Sequence, residues 1–258
     1  MKSTKLIYAG LACAVAALSL AGCKPHGKGS TAAVDSSTDL YKPVPAPTDG
    51  DWTKIVVPTP AGGFMMGNPT AKVHLIEYGA LSCPHCKHFD DSGVGPLIDN
   101  YVKPGKVSYE FRNYLLSAFD LGPSLIARCN GAASFFPLTR ALYKDQAIWI
   151  GKIQQAPQAE LDKLQNLPQA QVPAAAAKLA GLPEWAAMRG VPEAKSAQCL
   201  ADAKDVDRLV QMTQDATTQY PDFPGTPTFI LNGKMVDTTG VREDQVWPTL
   251  EKKLKEGL

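Results

Sequence analysis

The sequence carries almost no net charge: 26 Lys and Arg stand against 25 Asp and Glu, a formal +1 over 258 residues. A protein that lives by gripping nucleic acid shows a basic excess or stripe, so composition excludes that class. A long apolar run is also lacking. The one candidate, Leu6 to Leu20, falls short of the roughly 20 apolar residues of a permanent membrane span. Cysteine is scarce, six in all. That is too few for a small disulfide scaffold, so each cysteine has to be read for its own purpose. What is present is ordinary for a soluble globular chain, 45% hydrophobic and 20% charged. Such a chain can bury a real core in one or two domains.

The N-terminus places Lys2 and Lys5 before the apolar run, the pattern of an export signal. Cys13 lies within the run and would leave with it. The run ends Leu20-Ala21-Gly22-Cys23, which resembles the bacterial lipobox. In that motif the cysteine is lipidated and becomes the first residue of the mature chain; the alternative is a plain signal peptide with Cys23 incidental. Residues 1–22 are therefore read as a lipoprotein signal peptide and Cys23 as the lipidation site. Each buried CH₂ of the anchor adds about 0.8 kcal/mol. Lys24 stands where many inner-membrane lipoproteins have Asp, which favours the outer membrane. Residues 24–50 are rich in Gly, Ser, Thr, Pro and Ala and cannot build a core, so residues 23–50 are expected to form a disordered tether.

Beyond the tether the chain alternates strand and helix patterns. Val73 to Tyr78 is a short apolar run with β-branched and aromatic residues, as in a buried strand. Pro84 suits the first turn of a helix running to about Tyr101, stopped by Lys103-Pro104-Gly105. Val107 to Phe111 alternates as a strand does. Thr228 to Leu231 is another strand, and Asn232-Gly233 is a strong hairpin signal leading into Lys234 to Thr238. From about Glu243, Val246, Leu250 and Leu254 mark one face of a helix. Residues 114–223 show little strand character and read as a helical insertion, the Pro/Ala/Gln-rich part from Ala156 to Pro183 being the least regular. The expected class is α/β, with one domain over residues 51–113 and 224–258 opened by that insertion.

Cys83-Pro84-His85-Cys86 is a Cys-x-x-Cys between a strand and a helix start. The first N–H groups of a helix lack intrahelical partners, and together with the macrodipole they stabilise an anion. A thiolate placed there has a lowered pKa and is the nucleophile of disulfide exchange. Pro84 fixes φ without costing a needed N–H, and His85 can add a hydrogen bond or a positive charge. Cys83 is expected to be the attacking, exposed sulfur and Cys86 the buried, resolving one. The rival readings of the motif are weaker. A zinc site needs two more ligands, with only His74 and His88 at hand; haem attachment prefers His where Lys87 stands; and a structural Cys-x-x-Cys disulfide is strained. No metal and no organic cofactor are expected.

The motif resembles that of the DsbA-type thioredoxin-fold disulfide oxidoreductases, and the likeness covers roughly residues 70–258. It implies a thioredoxin fold with an inserted helical subdomain. It also implies that Glu77, six residues before Cys83, is a buried acid moving protons for the inner cysteine, the alternative being a salt-bridged strand carboxylate. Gly225-Thr226-Pro227-Thr228-Phe229 is similar to the family's cis-proline loop. A cis bond costs only ~0.5–1 kcal/mol before proline, against ~2.5–4 elsewhere. Thr226 and Pro227 would then expose backbone on which an extended substrate pairs as an added strand. Thr226 is not the valine of the Escherichia-type enzyme, which leaves the direction of electron flow open.

The remaining pair, Cys129 and Cys199, falls in the insertion. In an oxidising compartment two such thiols tend to pair, so a structural disulfide is expected. The alternatives are two buried thiols, or a second redox pair exchanging with Cys83 and Cys86.

The functional expectation is a lipid-anchored periplasmic oxidoreductase that introduces disulfides into reduced exported proteins. By resemblance, a DsbB-like quinone-linked membrane protein would reoxidise it. The rivals are a reductase or isomerase kept reduced by a membrane electron donor, and a lipoprotein chaperone that merely retains the fold. Isomerases of this type dimerise through an extra N-terminal domain; residues 24–70 are too short for one, and a monomer is expected.

Overall fold

A computed structural model describes residues 43–258. The export signal, Cys13, the lipidation site Cys23, His26 and the tether up to residue 42 lie outside the described residues. Residues 43–46 have no regular structure, and a turn at 47–50 leads into the body.

One six-stranded sheet forms the centre, in the order β1-β2-β4-β3-β5-β6. The strands are β1 (Val56–Pro58), β2 (Phe64–Gly67), β3 (Val73–Gly79), β4 (Val107–Asn113), β5 (Thr228–Leu231) and β6 (Lys234–Val236). β3 and β4 are parallel and every other pair is antiparallel. A parallel pair needs a crossover of a dozen residues or more. Residues 84–102 supply it as one helical run, α1 (Pro84–Phe89) and α2 (Gly95–Leu97), each followed by a π-type turn. Asn232-Gly233 turns β5 into β6, with both residues at positive φ.

Two strands, β1 and β2, are not foreshadowed by the sequence pattern. Phe64-Met65-Met66-Gly67 has no β-branched residue, yet all four residues are buried. β4 departs from the expected alternation: all seven residues are buried because both faces of the sheet are covered. Tyr109 and Phe111 face a core with Phe135 and Phe136. On the other face Arg112 donates to Glu110 at 2.8 and 3.1 Å and to the Tyr78 hydroxyl at 2.8 Å, and Thr59 donates to Glu110 at 2.6 Å. Buried charges persist only when paired and hydrogen-bonded, and this network meets that demand.

Between β4 and β5 the insertion is built of helices, most of them short. They are α3 (Leu121–Arg128), α4 (Ala132–Lys144), α5 (Gln146–Gln154), α6 (Gln158–Gln165), α7 (Val172–Leu179), α8 (Leu182–Ala187), α9 (Glu193–Leu200) and α10 (Ala203–Gln219). The prolines that made this stretch look irregular sit at helix starts. Pro157, Pro168 and Pro192 are N-caps, and Pro173 and Pro183 fall in first turns. There the missing N–H has no intrahelical partner to lose. α10 buries Leu209, Met212 and Ala216, and α11 (Glu243–Gly257) buries Leu250 and Leu254. Cys129 and Cys199 form a disulfide between the end of α3 and α9. Among the described residues no helix is long and apolar enough to cross a membrane.

Candidate functional site

β3 ends at Gly79, and the loop 80–83 delivers the chain to α1. Cys83 is the N-cap, with extended φ/ψ of −75° and 122°, and Pro84 opens the helix. The geometry follows from the sequence locally: proline at the first helical position forces the preceding residue into extended backbone, which is what an N-cap requires. Cys83 and Cys86 are both unpaired thiols. Cys86, on the inner face of α1, is 0% exposed and Cys83 only 3%. The exposed attacking sulfur expected from sequence is thus largely covered in this structure, because the Thr226–Pro227 loop lies over it: the Cys83 thiol donates to the Thr226 carbonyl at 3.2 Å. The Thr226–Pro227 bond is cis. Gly225 just before it has φ of +116°, a conformation side-chain-bearing residues avoid.

The two thiols have opposite acidities. Cys83 is lowered to about 6, first by a hydrogen bond from the Cys86 thiol, then by Thr226 and by the backbone N–H groups of Cys86 and His85, while burial works against them. Thr226 Oγ1 is buried without a hydrogen-bond partner among the described residues, so its hydroxyl is available to an ionised Cys83. Cys86 is pushed well above the ordinary thiol range, first by burial and then by the hydrogen bond and charge of Cys83. A depressed acid contributes stability that is present above its unfolded pKa and lost as pH falls through its folded one. The reduced protein should therefore gain stability from Cys83 between pH of about 6 and about 9. Titration of the ultraviolet thiolate absorbance should give a midpoint of about 6, and its loss in Cys83→Ser should assign it.

Glu77 is 1% exposed, in β3, and accepts a hydrogen bond from the Tyr109 hydroxyl at 2.5 Å. Parallel pairing sets Leu75 opposite Tyr109 and Glu77 opposite Phe111, so all four side chains share one face of the sheet. Burial pushes Glu77 up to about 8; the Tyr109 bond opposes this and the charges of Asp90 and Cys83 add to it. Beside Glu77 lies a cavity about the size of one water molecule, with Asp90, Tyr109, Thr139 and Arg140 in its wall. Asp90, raised to about 6 by burial, pairs with Arg140 at 3.4 Å.

His85 is directed elsewhere than its place in the motif implies. Its backbone N–H faces the Cys83 sulfur, but its exposed ring pairs with Glu243 at the start of α11. His88 lies 3.8 Å from the same carboxylate. Among the described residues no cluster of His, Cys, Asp and Glu has the makings of a metal site. The structure thus brings Cys83, Pro84, His85, Cys86, Thr226 and Pro227 to one end of the sheet, with Glu77 buried behind. Cys129 and Cys199 are bonded to each other.

Sequence reasoning missed Tyr109, Asp120, Gln146 and Glu243. Only Tyr109 left a readable signal, since it lies one strand over from Glu77 at matching parity. The others meet the site across sequence separations that no local pattern encodes.

Comparison with known proteins agrees with this architecture. The thioredoxin family model matches residues 59–251. A protein-disulfide isomerase from Novosphingobium aromaticivorans, known from its crystal structure, is 30% identical, with a TM-score of 0.67 over 74% of this chain and 96% of that one. Wolbachia pipientis alpha-DsbA1, 20% identical with a TM-score of 0.57 over 78% of this chain and 94% of that one, shares the fold. A curated Rickettsia bellii protein, provisionally named a protein-disulfide oxidoreductase, is 26% identical over 75% of this chain. The chain spans only 65% of that relative's length. It belongs to the thioredoxin family, with a helical insertion in the thioredoxin fold.

Proposed function

We propose that this protein is a periplasmic thiol:disulfide oxidoreductase that introduces disulfides into exported proteins through Cys83 and Cys86. The observation that carries the reading is the asymmetry of the pair: an acidic thiol at a helix N-terminus in contact with a buried, weakly acidic one. A substrate thiolate attacks Cys83 Sγ of the Cys83–Cys86 disulfide. The S–S bond breaks and Cys86 leaves as a thiolate. Glu77, protonated at neutral pH because burial raises it to about 8, supplies a proton. The second substrate thiolate then attacks the substrate's own sulfur in the mixed disulfide and Cys83 leaves as the stabilised thiolate. The substrate loses two electrons and the enzyme gains them. Thr226 and Pro227 offer the backbone edge along which the substrate lies.

Stabilising the Cys83 thiolate favours the reduced enzyme, which makes the disulfide a strong oxidant. A glutathione redox titration should therefore give a potential well above the ~ −270 mV of thioredoxin; a value at or below it sinks the oxidase reading. That result would favour the second reading, an isomerase or reductase, for which the observation is the name of the Novosphingobium relative. A third, a chaperone retaining the fold, predicts that Cys83→Ala keeps its anti-aggregation activity. Lipidation at Cys23 would tether the enzyme to the outer membrane, and a DsbB-like quinone-linked partner would reoxidise it.

Glu77→Gln should slow substrate oxidation at neutral pH by about a hundredfold, the low end of general acid–base contributions. The rate profile should also lose its inflection near pH of about 8. Stability moves the other way. The native carboxyl holds its proton up to about 8 while the unfolded one releases it near 4.5, so the wild type loses stability as pH rises through that window. Urea titrations of Glu77→Gln should lack that slope, and an unchanged slope would remove Glu77 from both roles.

A further inference from the structure

The insertion supplies most of the side chains that hold the loop delivering Cys83. Its polar groups are satisfied one after another by α4, α5 and the turn before α3. Ala80 O accepts from the Tyr143 hydroxyl at 3.2 Å and from Cys83 N at 3.1 Å. Asp120, 0% exposed, accepts from Ser82 N and Ser82 Oγ, each at 2.9 Å. Gln146, at the first position of α5 and 5% exposed, donates through Nε2 to Leu81 O at 2.8 Å and to Cys83 O at 3.0 Å. Both partners are carbonyls, so the orientation of the amide is fixed: its two N–H bonds serve one oxygen each.

We propose that Gln146 is a positioning residue for disulfide exchange, its amide holding the carbonyls of Leu81 and Cys83 so that the Cys83 sulfur stays over the free N–H groups of α1. The inference rests on the reading of Cys83 as the exchange sulfur. The physical argument has two parts. A carbonyl oxygen is the negative end of a dipole, and two of them, those of Leu81 and Cys83, lie in the loop that carries this sulfur. Held on Gln146, with Cys83 O also accepting from Lys87 N of α1 at 3.1 Å, they leave the positive N–H ends of Cys86 and His85 to face the sulfur. A donor group fixed before the charge develops costs no reorganisation when it does. Secondly, Gln146 carries no charge, so it imposes this orientation without placing a competing ion beside the thiolate.

A contact that only supports the fold stabilises oxidised and reduced forms alike and leaves their equilibrium untouched. A contact that orients dipoles toward a negative sulfur favours the reduced form. Gln146→Met keeps a similar volume and deletes both donors. It should shift the glutathione equilibrium toward oxidised enzyme by about threefold to tenfold, the range of one net hydrogen bond, and raise the thiolate midpoint by a matching half to one pH unit. Gln146→Asn withdraws the amide by one methylene, and is the milder probe should the Met variant not fold; its shift should have the same sign. Thermal unfolding of both redox forms of each variant supplies the control. Equal losses in the two forms with an unchanged equilibrium and midpoint would overturn the proposal. A wild-type protein that forms no Cys83–Cys86 disulfide in glutathione buffer would overturn the oxidoreductase reading instead, and the role of Gln146 with it.

Discussion

Cys83→Ser should reduce disulfide exchange with a reduced model protein to the level of buffer alone, a loss of about a thousandfold or more given that the thiolate is the only competent nucleophile and leaving group. Cys86→Ser should behave differently. It leaves the acidic sulfur in place and removes the one that resolves, so with a disulfide-containing model protein the Cys83 thiolate should attack the substrate S–S bond, release one substrate sulfur as a thiolate, and accumulate as a mixed disulfide visible by mass under non-reducing conditions. The distinction comes from the two environments. Cys83 is lowered to about 6 and touches the Thr226 carbonyl, on the loop where an incoming strand would pair. Cys86 is fully buried and raised, so at neutral pH it stays a thiol unless the Cys83 disulfide has just opened. Serine is nearly isosteric with cysteine, so both variants should fold, and unfolding curves close to wild type would confirm that chemistry alone was lost. If Cys86→Ser rather than Cys83→Ser proves silent toward substrate, the polarity assigned to the motif is reversed.

Much of this site is legible in the sequence because its logic is local. Cys83 through Cys86 carry their own helix start, since Pro84 sets the backbone on both of its sides. The hairpin at Asn232-Gly233 and the apolar stripe of Val246, Leu250 and Leu254 are likewise short-range patterns. What escaped is long-range or masked by burial. Phe64 to Gly67 forms a strand through pairing with β1 and β4, not through propensity. Ser108, Glu110 and Arg112 mimic an exposed strand face, yet they are covered, and their charges are satisfied by Tyr78 and Thr59. His85 looks like an ornament of the thiolate, but its ring answers to Glu243 on a helix 158 residues away in sequence. Gln146 lies 63 residues from Cys83, and nothing in a glutamine at a helix start announces that its amide will support a redox loop.

Removing the Cys129–Cys199 disulfide should have the largest effect on stability. The two residues are separated by 70 positions, and the loop they close contains α4 through α8. Cross-linking a loop of that length removes unfolded-chain entropy worth about 4 kcal/mol. For a domain of this size that corresponds to a fall of about 10 °C in melting temperature. The double variant Cys129→Ala with Cys199→Ala is the proper test, because a single substitution leaves a free thiol able to pair with Cys83. Urea unfolding offers a second, independent sign. Without the bridge the unfolded chain is more expanded and exposes more surface, so the denaturant slope should rise as the midpoint falls. The native side of the balance should change little. α3 is buried along nearly its whole length and Arg128 is held by Asp205 through two bonds of 2.9 Å, so the segment before the bridge is anchored without it. A midpoint that falls with an unchanged slope would place the effect in the folded protein instead, as lost packing between α3 and α9. A loss below about 1 kcal/mol would mean that the loop is already constrained in the unfolded chain.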